Sequence, residues 1–367
     1  MICATASIGT FWVIVGFHLL IVALLALDLG VFHRRAHVVG MAEAALWSIL
    51  WVALALGFAG LIYFGWHWWH PGEPDAGPEK AFQFLAGFLV EKSLSVDNLF
   101  VFMVIFRYFG VPPHLQHRVL FWGVVGAIIM RALFILAGGW LISQFYWILY
   151  LFGLFLIYTG IKLLFSVEEE IDPGRNLFLR WAQRILPFVE SYDSDRFWVK
   201  RMGKWHATPL TLVLLVVETT DVMFALDSIP AVFVISTDLF VVYTSNIFAI
   251  LGLRALYFLI APLLGMFRYL HIGLAVVLTY LGAKMLAKDV LWHWWQVEIS
   301  TAWSLAIIGT ILGATVFASL LAGPREVVKH PPEAVSLAQP EEEQARTPSA
   351  DTCPTDGEAH KDPPAQP

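Results

Sequence analysis

The sequence predicts an all-α polytopic membrane protein of about nine transmembrane helices, and three observations carry that reading. Of the 367 residues, 58% are hydrophobic and 14% charged, against about 25% charged in an ordinary soluble domain. Apolar runs of about 18 residues or more, enough to cross a bilayer core, recur along most of the chain. The 16 tryptophans include groups at segment ends, Trp66, Trp68 and Trp69, then Trp292, Trp294 and Trp295, the pattern of interfacial belts. The two cysteines, Cys3 and Cys353, lie near opposite ends, which excludes a disulfide framework or a CxxC metal motif.

Taken in order, the predicted spans are about 8–31, 43–66, 81–106, 118–140, 145–166, 207–235, 239–265, 270–288 and 302–322. No Lys/Arg-rich start precedes the first run, and it is too long for a signal-peptide core, so it reads as a retained helix. No Arg/Ser-rich transit segment occurs either, and a bacterial inner membrane is the expected location. Basic residues cluster in alternate loops: Arg34 and Arg35, Arg107 and Arg118, Arg175 to Lys204, Arg268, then Arg325 and Lys329. By the positive-inside rule the N-terminus is outside and the C-terminus cytoplasmic. The expected organisation is two N-terminal spans (1–80), a three-helix unit (81–166), a cytoplasmic loop (167–206), a second three-helix unit (207–288) and a ninth span (289–323). Residues 324–367 turn rich in Pro, Glu, Ala and Thr and cannot bury enough apolar surface to order, so a disordered cytoplasmic tail is expected.

The two three-helix units repeat one another. Ser95-Val-Asp97-Asn98 matches Ala225-Leu-Asp227-Ser228, Arg131-Ala-Leu-Phe134 matches Arg254-Ala-Leu-Tyr257, and Tyr158-Thr-Gly160-Ile-Lys162 matches Tyr280-Leu-Gly282-Ala-Lys284, at offsets of 130, 123 and 122 residues. Three weak matches in one order make a repeat. A unit of three spans is odd, so its second copy enters the membrane from the other side: spans 3–5 and 6–8 form an inverted repeat. Carriers built this way place their substrate near the midplane, where the halves meet.

That meeting place is acidic. Glu91, Asp97, Glu218, Asp221 and Asp227 lie within apolar runs, where five uncompensated carboxylates would cost about 12–18 kcal/mol on insertion scales. At about 100° per residue Glu91, Ser95 and Asn98 share one helix face, with Asp97 turned away; Glu218 and Asp221 share another, with Ser228 near it and Asp227 roughly opposite. Pro230 predicts a kink or an unwound turn around Asp227. The candidate ligands, Glu91, Asp97, Asn98, Glu218, Asp221, Asp227 and Ser228, with Ser95 and Asn246 as further candidates, are all oxygen donors. Such a set suits a hard divalent cation rather than Zn²⁺ or Cu⁺. Arg131 and Arg254 read as gating or structural ion pairs, and five carboxylates against two guanidiniums leave −3. The structural alternative is that the acids simply pair with Arg131, Arg254 and Lys92; Asn246 equally suits an interhelical hydrogen bond.

These motifs resemble the TerC (tellurium resistance) family of integral membrane proteins, its Alx branch included, which looks related to the LysE-type exporters. The resemblance rests on Glu91-Lys-Ser-Leu-Ser-Val-Asp-Asn98, Glu218-Thr-Thr-Asp221, Phe224-Ala-Leu-Asp-Ser-Ile-Pro-Ala-Val232 and Thr244-Ser-Asn-Ile-Phe-Ala-Ile-Leu-Gly-Leu-Arg-Ala-Leu-Tyr-Phe258. What it implies is Mn²⁺ efflux from the cytoplasm, driven by the proton gradient or membrane potential, with the cation as transported substrate and no permanently bound cofactor. No GxxxxGK[ST], HExxH or GxSxG motif occurs, so neither ATP use nor enzymatic activity is expected. The competing reading is a membrane scaffold for tellurite resistance or for metalation of secreted proteins. Expected partners are the bilayer and the metal ion, with a homo-oligomer or membrane complex as a further alternative, and no nucleic acid.

Overall fold

The computed structural model describes residues 8–32, 40–70, 72–165, 196–201, 203–266, 269–295 and 300–323. The chain divides into two units, Met1–Val335 and Ser336–Pro367; the second, the rest of the expected tail, most of the 167–206 loop and both cysteines lie outside the described residues. The described part is a helical membrane protein. In order it forms α1 (Ile8–Phe32), α2 (Met41–Trp69), α3 (Gly77–Tyr108), α4 (Pro113–Gln144), α5 (Ile148–Phe165), strands β1 (Trp198–Arg201) and β2 (Lys204–Ala207), then α6 (Pro209–Ile235), α7 (Leu239–Leu251), α8 (Leu253–Ile260), α9 (Leu270–Trp295) and α10 (Thr301–Ala322).

Each of the nine predicted stretches holds a helix, yet among the described residues six helices are long and apolar enough to cross a membrane, or seven with α7 and α8 taken as one broken span. α3 has the length but carries Glu91, Lys92 and Asp97 through its middle. The break in a helix falls elsewhere than Pro230 suggests. α6 continues through Pro230, since a single lost donor is tolerated where neighbouring helices pack around it. The stretch 239–265 instead bends by 43° between α7 and α8, at Gly252. There the Lys92 Nζ donates to the Ala249 carbonyl at 3.2 Å, capping a last-turn oxygen that the broken helix leaves without an intrahelical donor. A Cβ on Gly252 would stand 2.7 Å from that Nζ and 3.0 Å from Trp51 Cβ, so the bend closes on a residue without a side chain.

α3 and α6 form the middle of the bundle, and side chains from both feed several separate apolar clusters. Their directions follow from the contacts. Gln83 meets Ser236 at 2.6 Å and Gly87 faces Val232, so α3 and α6 are antiparallel. Gly123 faces Val217 and Gly138 faces Phe233, so α4 runs with α6. α5 and α9 cross antiparallel at glycines: a Cβ on Gly153 would lie 3.2 Å from the Gly282 carbonyl, and one on Gly160 2.8 Å from the Ala275 carbonyl. Small residues at such seams let helices approach closely in lipid, where no hydrophobic effect drives association and van der Waals packing must. Leu46, Phe64, Ile129, Leu136 and Leu321 point outward, as a lipid-facing surface requires.

Two local features differ from expectation. Trp66, read as part of a belt, is 1% exposed; its ring covers the Lys80 ammonium at 5.4 Å, and Lys80 is paired with Asp238 at 2.7 Å. Asp238 also caps α7 by accepting from Phe240 N at 3.0 Å. The second feature is the antiparallel hairpin β1–β2 within the loop, turning at Gly203 with φ 80°. Thr211 Oγ1 donates to the Phe197 carbonyl at 2.5 Å and pins it to the start of α6.

Candidate functional site

The predicted polar residues gather in two places, on opposite faces of the α3–α6 pair. The first centres on Arg131 of α4, which is 1% exposed. One of its terminal nitrogens, Nη1, donates to Glu91 Oε1 of α3, to Ser228 Oγ of α6 at 3.2 Å and to Asn246 Oδ1 of α7 at 3.1 Å. The other, Nη2, lies 3.6 Å from Asp221 Oδ1 of α6. One guanidinium thus ties α4 to three other helices. Glu91, Asp221, Ser228 and Asn246 are all buried, and nothing in local sequence pairs them: the three hydrogen bonds span 40, 97 and 115 residues.

Helical phase explains which acids reach this centre. Glu91, Ser95 and Asn98 recur on one face of α3 and are buried; Ser95 Oγ donates back to the Glu91 carbonyl at 2.7 Å. Asp221 and Ser228 stand seven residues apart, two turns of α6, and so face the same side. Asn246 is oriented by its own amide, which donates to the Val242 carbonyl at 3.1 Å and leaves Oδ1 for Arg131.

The cluster is not saturated. Glu91 Oε2, Asp221 Oδ2 and Arg131 Nε are buried without a hydrogen-bond partner. Each such atom costs about 1–3 kcal/mol, more when charged. Two carboxylates share one guanidinium, so the centre carries a net −1 and has two unused acceptor oxygens. Glu218 sits one turn before Asp221, half-buried, with its carboxyl against Gly126 of α4, where any Cβ would collide with it.

The second place holds Asp97 and Asp227, both half-buried and within electrostatic reach of each other. Asp227 Oδ1 accepts from Thr159 Oγ1 of α5 at 3.4 Å and feels Lys162, while Asp97 feels His271 of α9. The structure therefore separates the two repeat-related aspartates from Glu91 and Asp221, on the far side of the same helix pair. Arg254, 4% exposed, lies in α8 just beyond the Gly252 bend. Among the described residues no three His, Cys, Asp or Glu side chains are grouped to hold a metal ion. Sequence reasoning did not single out Thr159 or His271; their signal is only that each faces an acid across a seam.

Comparison with known proteins adds the context. Residues 76–326 match the Integral membrane protein TerC family. The chain is 46% identical over 315 residues to the membrane protein STKORF319 of Myxococcus xanthus, covering 86% of this chain and 94% of that one. It is 45% identical to a protein of Salmonella typhi named as a candidate membrane-bound redox modulator, Alx, over 84% of this chain and 94% of the relative. The Escherichia coli K12 protein of the same name is 44% identical, with 84% and 96% covered. No solved structure matches.

Proposed function

The chain belongs to the TerC family of integral membrane proteins, and from that premise we propose that it exports a hard divalent cation, Mn²⁺, from the cytoplasm across the bacterial inner membrane. The observation that carries the reading is the pair of buried, unpartnered carboxylate oxygens, Glu91 Oε2 and Asp221 Oδ2, beside a single guanidinium. Buried polar atoms are almost always satisfied, and exceptions call for a role. A net negative centre whose candidate ligand atoms, on Glu91, Asp221, Ser228 and Asn246, are all oxygen is the chemistry that a hard cation seeks. Asp97 and Asp227, on the other face of α3 and α6, are suited to carrying protons.

Coupling follows from electrostatics. Moving a divalent cation outward against an inside-negative potential costs about 4.6 kcal/mol per 100 mV, at about 2.3 per charge. The membrane potential alone opposes export, so outward Mn²⁺ is exchanged for inward protons. The relatives' name suggests redox chemistry instead. A dithiol centre in the helical core is excluded by composition, because no cysteine lies between residues 4 and 352.

Proteoliposomes containing the purified protein and an enclosed Mn²⁺-sensitive dye provide the test. An imposed proton gradient should drive Mn²⁺ flux, and Glu91→Gln and Asp221→Asn should each reduce it at least tenfold. Wild-type vesicles no faster than protein-free ones would overturn export. Full flux in both variants would instead remove these acids from the ion's route.

A further inference from the structure

Resting on the export reading, we propose that Arg131 and Arg254 are a repeat-related pair of tethered cations that hold the Glu91–Asp221 acids in turn. Arg131 holds them in the state seen here, and Arg254 in the state that faces the other side of the membrane.

The sequence offsets and the contacts agree on a twofold relation between the halves. The 122-residue offset carries Gly153 onto Ala275 and Gly160 onto Gly282. Two approaches of a glycine to a backbone carbonyl across the α5–α9 seam, Gly153 to Gly282 and Gly160 to Ala275, therefore map onto each other. The 130-residue offset carries Glu91 onto Asp221 and Asn98 onto Ser228, and the 123-residue offset carries Arg131 onto Arg254 and Gly123 onto Asn246. Glu91 and Asp221 are thus one position written twice, and both face Arg131.

The halves are not in the same conformation. α4 runs unbroken through Arg131, whereas its counterpart bends by 43° just before Arg254. Arg131 contacts Glu91, Ser228 and Asn246. In inverted-repeat carriers the two access states arise as one half rocks against the other, and exchanging the halves' conformations exchanges their contacts. The exchanged set around Arg254 is Asp221 and Asn98, with Gly123 in place of Asn246. Asn98 and Arg254 are already buried, and Asp221 stands 3.6 Å from Arg131 at the looser end of its grip. A divalent ion and a guanidinium compete for the same two carboxylates: the ion neutralises both acids only when the arginine is withdrawn. Re-entry of an arginine then expels the ion, and two arginines on opposite halves give that expulsion a side.

The test uses the full chain with Cys3→Ser and Cys353→Ser, and single thiol reporters at the two ends of the α3–α6 seam. The reporters are Ser236→Cys, opposite Gln83, and Val213→Cys, the position onto which Gln83 maps. Maleimide labelling is followed in nanodiscs without Mn²⁺, beside Mn²⁺ flux in proteoliposomes. Arg131→Gln removes the grip of the present state, and should raise labelling several-fold at one reporter while lowering it at the other. Arg254→Gln should leave both at the wild-type rate, or move each in the opposite sense to Arg131→Gln. Both variants should lose at least tenfold in Mn²⁺ turnover. If Arg131→Gln does not fold, Glu91→Gln with Arg131→Gln removes the charges together and must give the same shift. Reporters that move alike in the two variants, or that Arg131→Gln does not move, overturn the proposal, as does Arg254→Gln with wild-type flux. Because labelling needs no Mn²⁺, a wild type without Mn²⁺ flux sinks the export reading, while opposed reporter shifts still uphold the exchange.

Discussion

Arg131 and Glu91 are removed from water together, and each ion so buried carries a desolvation cost of several kcal/mol that only good geometry offsets. Breaking such a pair is therefore worse than never having made it. Glu91→Ala leaves Arg131 with Asp221 at 3.6 Å as its remaining acid, and the expected loss is about 3 kcal/mol. Glu91→Gln keeps an acceptor in place and should lose clearly less. Thermal unfolding in detergent reads both, and an unchanged midpoint for Glu91→Ala would show that the pair is not a fold determinant. Part of this site was legible beforehand. Helical phase separated Glu91, Ser95 and Asn98 from Asp97, and the first three are buried while Asp97 is half-buried. Which arginine meets which acid was not legible, because the choice rests on how four distant helices pack.

At the scale of elements, glycine at a helix crossing does two different jobs. On Gly160 of α5 a Cβ would come 2.5 Å from Thr279 Oγ1 and 2.9 Å from Thr279 N, whereas Gly309 and Gly313 of α10 have nothing within 4 Å. Gly160→Ile should force α5 and α9 apart and lower stability by about 1–3 kcal/mol, as overpacking does. Gly309→Ala should be neutral or stabilising by up to about 1 kcal/mol, since alanine is the better helix former. Midpoints that fall equally in the two variants would refute the seam. The broken span carries the complementary lesson. Pro230 is the stronger sequence signal, yet α6 continues through it, because a proline removes one hydrogen bond and neighbours can absorb that. The break forms at Gly252, where Lys92 of α3 satisfies an oxygen of α7. A breaker's effect is decided by its surroundings.

For the whole molecule, alternating direction is the main constraint. α3 and α6 antiparallel, α4 and α6 parallel, and α5 and α9 antiparallel are the relations that successive crossings produce when each helix re-enters from the side where the last one left. The basic-loop asymmetry predicts that the turn around residues 72–76 is extracellular and the β1–β2 hairpin cytoplasmic. Cysteines at Glu73 and at Trp205, both exposed, check this: a membrane-impermeant maleimide applied to intact cells should label the first, and the second only after permeabilisation. The reverse pattern would invert the proposed direction of transport. The hairpin itself was not foreseen in the 167–206 loop, since two four-residue strands show little periodicity; it is held by Thr208 and Thr211 hydroxyls on the Arg196 and Phe197 carbonyls.

By itself the sequence determined the class of the molecule, the position of its helices and the presence of acids within its apolar stretches. Those follow from hydropathy and helical period, which are properties of neighbours in the chain. Tertiary structure decided that the acids divide into an arginine-centred group and an aspartate pair on opposite faces of α3 and α6. It also decided that Gly252 rather than Pro230 breaks a span, and that two carboxylate oxygens stay unsatisfied. Burial of an ion, the bend of a helix and the pairing of a charge depend on side chains tens to hundreds of residues away. Their free energies arise only when the helices pack, so no local pattern records them.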